Sequence, residues 1–225
     1  MKILEIEKMK KTFRSPEGVT NEVINIKSFG IEECEQTALA GESGSGKTTL
    51  LNLIAGILRA DKGSIRFAGI DMETLDESKR DLLRAHAMGY IFQTFNLLQG
   101  YSAIENVMLG MMFGPGADHA TAASLLERVG LKKYFNYLPR QMSVGQQQRV
   151  AVARALANNP KLVLADEPTG HLDHKRAKES LNLIKGICKE KGAALLLVSH
   201  DRDVLASFSS VKELSSINST GKAGD

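Results

Sequence analysis

Apolar positions along this chain fall into two kinds of run. Residues 3–7 and 22–26 alternate apolar with polar side chains, the period of a half-buried strand, and the polar turn Ser15-Pro16-Glu17-Gly18 separates them. They predict an antiparallel sheet at the start. Residues 162–165 and 193–198 are instead almost wholly apolar, ending at Asp166 and at Ser199-His200. Strands apolar on both faces belong to a parallel sheet covered by helices. The segment 176–191 reads as the helix that joins them as a right-handed crossover.

Between these ends the pattern is mixed. Residues 36–40 form a short run that enters a glycine-rich loop, and 48–58 carry helical spacing through Leu50, Leu51, Leu53, Ile54, Ile57 and Leu58. Residues 63–68, followed by Gly69, read as a strand and turn, and 88–92 as a buried strand. The stretch 95–148 is mostly helical, with one helix over 120–129 stopped by Gly130. Another covers 146–158, with Ser143 placed to open it, and ends before Asn159-Pro160. The polar tail 215–225 is expected to fray.

Composition narrows the picture without choosing a chemistry. At 225 residues, 43% hydrophobic, the chain can bury one domain core. Twenty-nine basic against 26 acidic residues leave a net charge of +3, too balanced to argue for nucleic acid as a partner. No apolar run reaches the roughly 18 residues that span a bilayer, and the first residues lack the apolar core of a signal peptide. A cytosolic location follows, with any membrane role supplied by a partner. Cys34 and Cys188 are then read as reduced, buried small hydrophobes. His171 and His174 have no further His or Cys near them in sequence and read as a solvated loop.

The glycine-rich loop is the strongest chemical signal. Gly41-Glu42-Ser43-Gly44-Ser45-Gly46-Lys47-Thr48 fits G-x-x-x-x-G-K-[ST] between a strand and a helix. Glycines let successive N–H groups turn inward as an anion nest. The start of the following helix adds its positive dipole end. Lys47 supplies a mobile charge for the outer phosphates, and the Thr48 hydroxyl can coordinate Mg²⁺. The loop calls for a nucleoside triphosphate without choosing ATP over GTP.

Asp166-Glu167, at the end of a buried parallel strand, sits where such sheets bind ligands. Asp166 is placed to orient the metal and Glu167 to polarise the attacking water; an acidic pair opening a helix is the bland alternative. His200 ends the next apolar strand and reaches the γ-phosphate side if the two strands are neighbours.

Taken in order, these segments resemble the nucleotide-binding domain of ATP-binding cassette (ABC) transporters, over residues 1–214. Tyr90-Ile91-Phe92-Gln93-Thr94-Phe95-Asn96-Leu97-Leu98 is similar to the family's glutamine loop, Gln141-Met142-Ser143-Val144-Gly145-Gln146 to its signature motif, Gly170-His171-Leu172-Asp173 to its D-loop, and Val198-Ser199-His200-Asp201 to its histidine switch. The resemblance implies an α/β fold: a P-loop NTPase (RecA-like) core with a mostly parallel sheet (1–92 and 150–214), an N-terminal antiparallel β subdomain, and a helical subdomain over 93–149.

It also implies roles: Lys47, Gln93, Glu167 and His200 in catalysis; Thr48, Gln93 and Asp166 at Mg²⁺; the loop from Gly41 to Thr48 with Thr49, Ser143, Gly145, Gln146 and Asp173 on ATP. Phe13 takes the place of the aromatic that stacks on adenine, which favours ATP, although a core role for it stays open. Because the signature motif of one cassette closes over the nucleotide of another, a second copy or a similar chain is expected as partner. An integral membrane permease is the other, with the cassette held at the inner face of the membrane.

Phe95-Asn96-Leu97-Leu98, Ile104-Glu105-Asn106-Val107 and Ala165-Asp166-Glu167-Pro168-Thr169-Gly170 are similar to the subgroup of lipoprotein-release, macrolide-export and cell-division ATPases, and residues beyond Leu214 offer no room for the extra domain of sugar importers. Leu97, Leu98, Tyr101, Val107, Met108, Met111 and Met112 are either subdomain core or part of a permease groove. A soluble repair or translation ATPase is the rival reading, and a weakly hydrolysing scaffold is a third, kept open by one departure. Val144 stands where the usual signature motif has its first glycine.

Overall fold

The computed structural model describes residues 1–114 and 116–220. Two long strands open the chain, β1 (Lys2–Arg14) and β2 (Thr20–Glu32), followed by β3 (Gln36–Ala40) and helix α1 (Lys47–Ile54). Next come β4 (Lys62–Phe67), β5 (Ile70–Asp71), α2 (Glu77–Ala87) and β6 (Met88–Ile91). Helices α3 (Ala103–Met111), α4 (His119–Arg128) and α5 (Val144–Ala155) form the middle. The chain returns through β7 (Leu162–Asp166), α6 (His174–Lys191), β8 (Ala194–Ser199), α7 (Arg202–Ala206), β9 (Ser210–Glu213) and α8 (Leu214–Ile217).

The strands form two sheets. One is antiparallel, in the order β2-β1-β4-β5, and one parallel, in the order β6-β7-β8-β3-β9. The two apolar runs pair side by side, with Asp166 opposite Val198. Their lack of alternation now has a cause. Leu162, Leu164, Ala194, Leu196 and Val198 face the core shared with the antiparallel sheet. Val163, Ala165, Leu195 and Leu197 face a second core shared with the helices. A period of two thus splits each run between two apolar surfaces.

The helical part is fastened to the sheet by close backbone approach. A Cβ on Gly89 of β6 would lie 2.2 Å from the carbonyl oxygen of Ala155, so only glycine lets the end of α5 rest there. Asn106, fully buried, accepts from Leu98 N–H and donates to Leu98, Tyr101 and Ser102 carbonyls, which fixes the loop ahead of α3.

Several expectations shift. The opening strands run far beyond residues 3–7 and 22–26, because β1 pairs along its length with β2 and β4. The first helix ends at Ile54, not at 58, where Gly56 takes φ 68°. Helix α5 starts at Val144 and stops at Ala155, and it crosses the 149/150 border expected between helical and core segments. Its buried face packs with α3 and α4, so the helical layer extends to its end. Cys34 is exposed at φ 59°, not buried, since it sits in the turn after β2. Cys188 is buried, which pushes its thiol up to about 12. The stretch 215–220 does not fray: α8 and Asn218 pack on β2, and 221–225 lie outside the described residues.

Candidate active site

Five sequence-predicted residues, from the start of α1 and the ends of β7 and β8, meet in one cluster. Gly46 closes the phosphate loop at φ 96°, ψ 11°, a left-handed conformation that costs glycine little. It lies against β2: a Cβ there would be 3.1 Å from Val23 Cγ1 and 3.2 Å from Val23 O. Gly41 N–H donates to Ser199 O at 3.3 Å, which ties the loop's entry to the end of β8.

Lys47 is 7% exposed. Its Nζ donates to Gly41 O at 2.7 Å and to Glu42 O at 2.8 Å, and lies 3.5 Å from Glu167 Oε1. The ammonium therefore sits at the loop's mouth, held by carbonyls that a stronger anionic acceptor can replace.

Thr48 Oγ1 donates to Asp166 Oδ2 at 2.7 Å. The other carboxylate oxygen, Oδ1, is buried without a hydrogen-bond partner. Burial, and then the adjacent Glu167 charge, hold the Asp166 carboxyl above the usual carboxylate range, against the pull of the Thr48 hydrogen bond and Lys47. An orphaned, desolvated carboxylate oxygen beside a hydroxyl fits a hard divalent cation with oxygen ligands. Mg²⁺ is thus compatible with Thr48 and Asp166.

Glu167 has φ 43°, unusual for a residue with a Cβ, and is 7% exposed. Strain of this kind persists where the surroundings over-determine it. Ser199 Oγ donates to Oε2 at 3.1 Å and His200 Nδ1 lies 2.7 Å from Oε1. A carboxylate can only accept, so Nδ1 carries the proton. Glu167 N–H donates to Val198 O, and its carbonyl accepts from Gly170 N–H. His200 itself is largely exposed and reaches the cluster because β8 neighbours β7.

Other candidates lie outside the cluster. Gln93 follows β6, beside β7, with its side chain exposed and making no hydrogen bond among the described residues. Phe13 is 41% exposed near the tip of the β1–β2 hairpin, with Lys11 Nζ 5.6 Å from its ring centre, so the core reading of it fails. Thr49 is half-buried in the first turn of α1. Asp173 caps α6, accepting from Arg176 N–H at 3.0 Å. His174 pairs with Asp203 at 2.9 Å, and no group of three metal-ligating side chains exists among the described residues.

Ser143 caps α5 in a reciprocal pair with Gln146: its Oγ accepts from Gln146 N–H and its own N–H donates to Gln146 Oε1 at 2.8 Å. A cleft of about 300 Å³ opens there, lined among others by Ser143, Gly145, Gln146 and Arg176. Val144 is 45% exposed and keeps a negative φ. A Cβ on Gly145 would meet nothing closer than 3.9 Å. The fold itself therefore demands glycine at neither position. Any need for it comes from what approaches from outside.

Ser199 was missed as a holder of Glu167, because only the pairing of β7 with β8 brings it there. Arg154, on α5, was also missed. It donates to the carbonyls of Phe95 and Asn96, which take φ 60° and 48° just after Gln93. The local hint in the sequence is Asn96, a residue type that accepts left-handed backbone.

The profile of the family described as ABC transporter matches residues 24–170. The chain is 42% identical over 206 residues to the lipoprotein-releasing system ATP-binding protein LolD 1 of Rhodopseudomonas palustris, covering 90% of this chain and 91% of that one. It is 41% identical over 209 residues to the macrolide export ATP-binding/permease protein MacB of Syntrophobacter fumaroxidans, covering 91% of this chain but only 29% of the larger protein. Among solved structures it is similar to the dimeric ATP-binding cassette MJ0796 in a post-hydrolysis state bound to ADP and Pi, with 34% identity, 93% of each chain covered and a TM-score of 0.86.

Proposed function

From the premise that this chain belongs to the ABC transporter family, we propose that it is the ATP-hydrolysing subunit of an exporter-type or mechanotransmission system whose membrane permease is a separate chain. The observation that carries this reading is Glu167, buried at φ 43° and held from two sides by Ser199 and His200, 3.5 Å from Lys47.

In this reading Lys47 exchanges its two loop carbonyls for the β- and γ-phosphate oxygens, and N–H groups of the loop after Gly41, up to Thr48, line the phosphates. Phe13 stacks on the adenine. Thr48 and Asp166 would hold Mg²⁺, whose chemistry is to neutralise charge on the phosphate oxygens. Glu167 accepts a proton from water as that water's oxygen bonds to the γ-phosphorus and the bond to ADP breaks. His200 keeps Glu167 oriented, and Gln93 approaches the same water from β6. Most of the acceleration in such reactions comes from positioning and charge, which suits a site whose base is locked.

The signature segment, Ser143 with Gly145 and Gln146, lies apart from the cluster and presents the start of α5, a helix of 12 residues, to solvent. A second copy, arranged head to tail, would bring that start onto the γ-phosphate, with Asp173 of each copy near the seam. Outward-facing Val144 with a regular backbone supports turnover over the scaffold reading.

A groove lined by Ile57, Arg84, Tyr90, Phe92, Arg154 and Asn158 lies between the sheet and the helical layer. Exposed Leu98, Tyr101, Met112 and Phe113 lie on the loops flanking α3. Apolar area of this kind suits a permease helix. No helix among the described residues is long and apolar enough to cross a membrane, so attachment through a permease at the inner face of the membrane is part of the proposal. Steady-state hydrolysis of wild type against Glu167→Gln tests the chemistry: turnover vanishing in the variant while ATP still binds supports it, and equal turnover refutes it.

A further inference from the structure

The last described residues close the free edge of a strand. In the antiparallel sheet β2 is an edge, where main-chain groups lack a partner strand. Asn218, 6% exposed at the end of α8, supplies one. Its Oδ1 accepts from Asn25 N–H at 2.7 Å and its Nδ2 donates to Val23 O at 3.0 Å. Ser219 N–H donates to Asn25 O at 2.9 Å, and Asn218 bridges Ile26 in antiparallel sense. One amide side chain and the next peptide therefore hold residues 23–26 as a short extra strand would.

That same stretch is the surface on which the phosphate loop rests. Val23 O, the acceptor of Asn218 Nδ2, lies 3.2 Å from where a Cβ on Gly46 would sit, and Ile24 Cδ1 lies equally near. A few residues earlier on β2, Asn21 pairs with Phe13 and Glu22 with Thr12. One strand segment thus carries both the floor of the loop and the arm that presents the exposed aromatic. Displacing it moves both relative to the core.

We infer that Asn218 is a positioning residue for nucleotide: it never touches ATP but sets the distance between the phosphate loop and the aromatic arm by anchoring β2. This rests on the reading of the Gly41–Thr48 loop as the ATP site. The pairing is specific to an amide, because one group must accept from an N–H and the other donate to a carbonyl two residues away. The role also explains why a polar residue is buried at the end of a four-residue helix.

The test compares KM for ATP and kcat in full-length wild type, Asn218→Ala, Ser219→Pro, Phe13→Ala and Lys47→Ala, assayed well below each midpoint of unfolding. Ser219→Pro removes the N–H donated to Asn25 and keeps both hydrogen bonds of the Asn218 side chain. Asn218, at φ −102° and ψ 112°, already has the extended backbone a following proline tolerates. Ser219→Pro should raise KM about fivefold, the effect of one net hydrogen bond, and Asn218→Ala, which removes two, should raise it further, with kcat at saturating ATP retained in both. Asn218→Ala combined with Phe13→Ala should raise KM by less than the product of the two, since both act through one arm. A strap that only stabilises the fold would lower the midpoint of unfolding and leave KM unmoved, and that result overturns the inference. Lys47→Ala separates the two readings: if ATP affinity survives it, the loop assignment itself fails, whereas its collapse beside an unmoved KM in both strap variants removes only the role of Asn218.

Discussion

Thr48 and Asp166 meet at 2.7 Å between the first turn of α1 and the end of β7, and their hydrogen bond uses one carboxylate oxygen while leaving the other buried and unpartnered. That asymmetry leaves Asp166 Oδ1 as an open acceptor in the site. The first prediction follows from its electrostatics. Folding raises the Asp166 pKa, chiefly through burial. A carboxyl raised in this way costs stability above its unfolded pKa, and the cost disappears at acid pH where both states are protonated. In Mg²⁺-free buffer Asp166→Asn should therefore raise Tm at neutral pH, because the buried charge is removed. The gain should shrink as pH falls below the folded pKa. Calorimetry across pH checks this; an unchanged or lower Tm at neutral pH contradicts it.

Lys47 donates to two loop carbonyls and lies within reach of Glu167. Lys47→Ala should weaken ATP binding by about 100-fold or more, because charge-assisted bonds to phosphate are lost from a buried position. Equilibrium binding of a fluorescent ATP analogue measures it. Retained affinity would remove the loop from the site.

His200 Nδ1 holds Glu167 Oε1 at 2.7 Å from a largely exposed ring. His200→Ala should lower kcat about 10²-fold, in the range of a mispositioned base, with Tm nearly unchanged because the side chain is solvated. Single-turnover hydrolysis with parallel calorimetry reads both. Full activity would leave Glu167 held by Ser199 alone.

Val144 faces solvent at the start of α5 with regular backbone. Val144→Gly should change ATPase turnover by no more than about twofold, because the exposed side chain and regular backbone leave the approach of a partner's phosphate open. A tenfold rise in Val144→Gly would mean that the valine obstructs the approach of a partner's phosphate.

Much of this was legible in the sequence, for physical reasons that also set the limit. The doubly apolar runs of β7 and β8 announce a buried parallel sheet, and the loop motif with the acidic end of β7 singles out Lys47, Thr48, Asp166 and Glu167, which the fold brings together. Helix α2 is only weakly marked in the sequence: its one fully buried residue is Arg80, and its apolar face is the short pair Leu83 and Ala87, packed partly against the core. Cys34 was misjudged because the turn that exposes it leaves no hydrophobic pattern. Asn218 looked like part of a frayed tail, since its partners are main-chain atoms some 190 residues earlier. The lock on Glu167 depends on β8 lying beside β7, a neighbour relation that apolar runs leave open.

The most direct test is light scattering of Glu167→Gln at micromolar concentration, with and without Mg-ATP, beside the same variant carrying Ser143→Arg. On the proposal hydrolysis is blocked in both, so ATP would stay in place and join two copies. The proposal predicts a dimer of twice the 24.5 kDa chain mass for Glu167→Gln only when Mg-ATP is present, and a monomer when Ser143 is also replaced. A monomer in every condition, with ATP demonstrably bound, would contradict a site completed by a second copy.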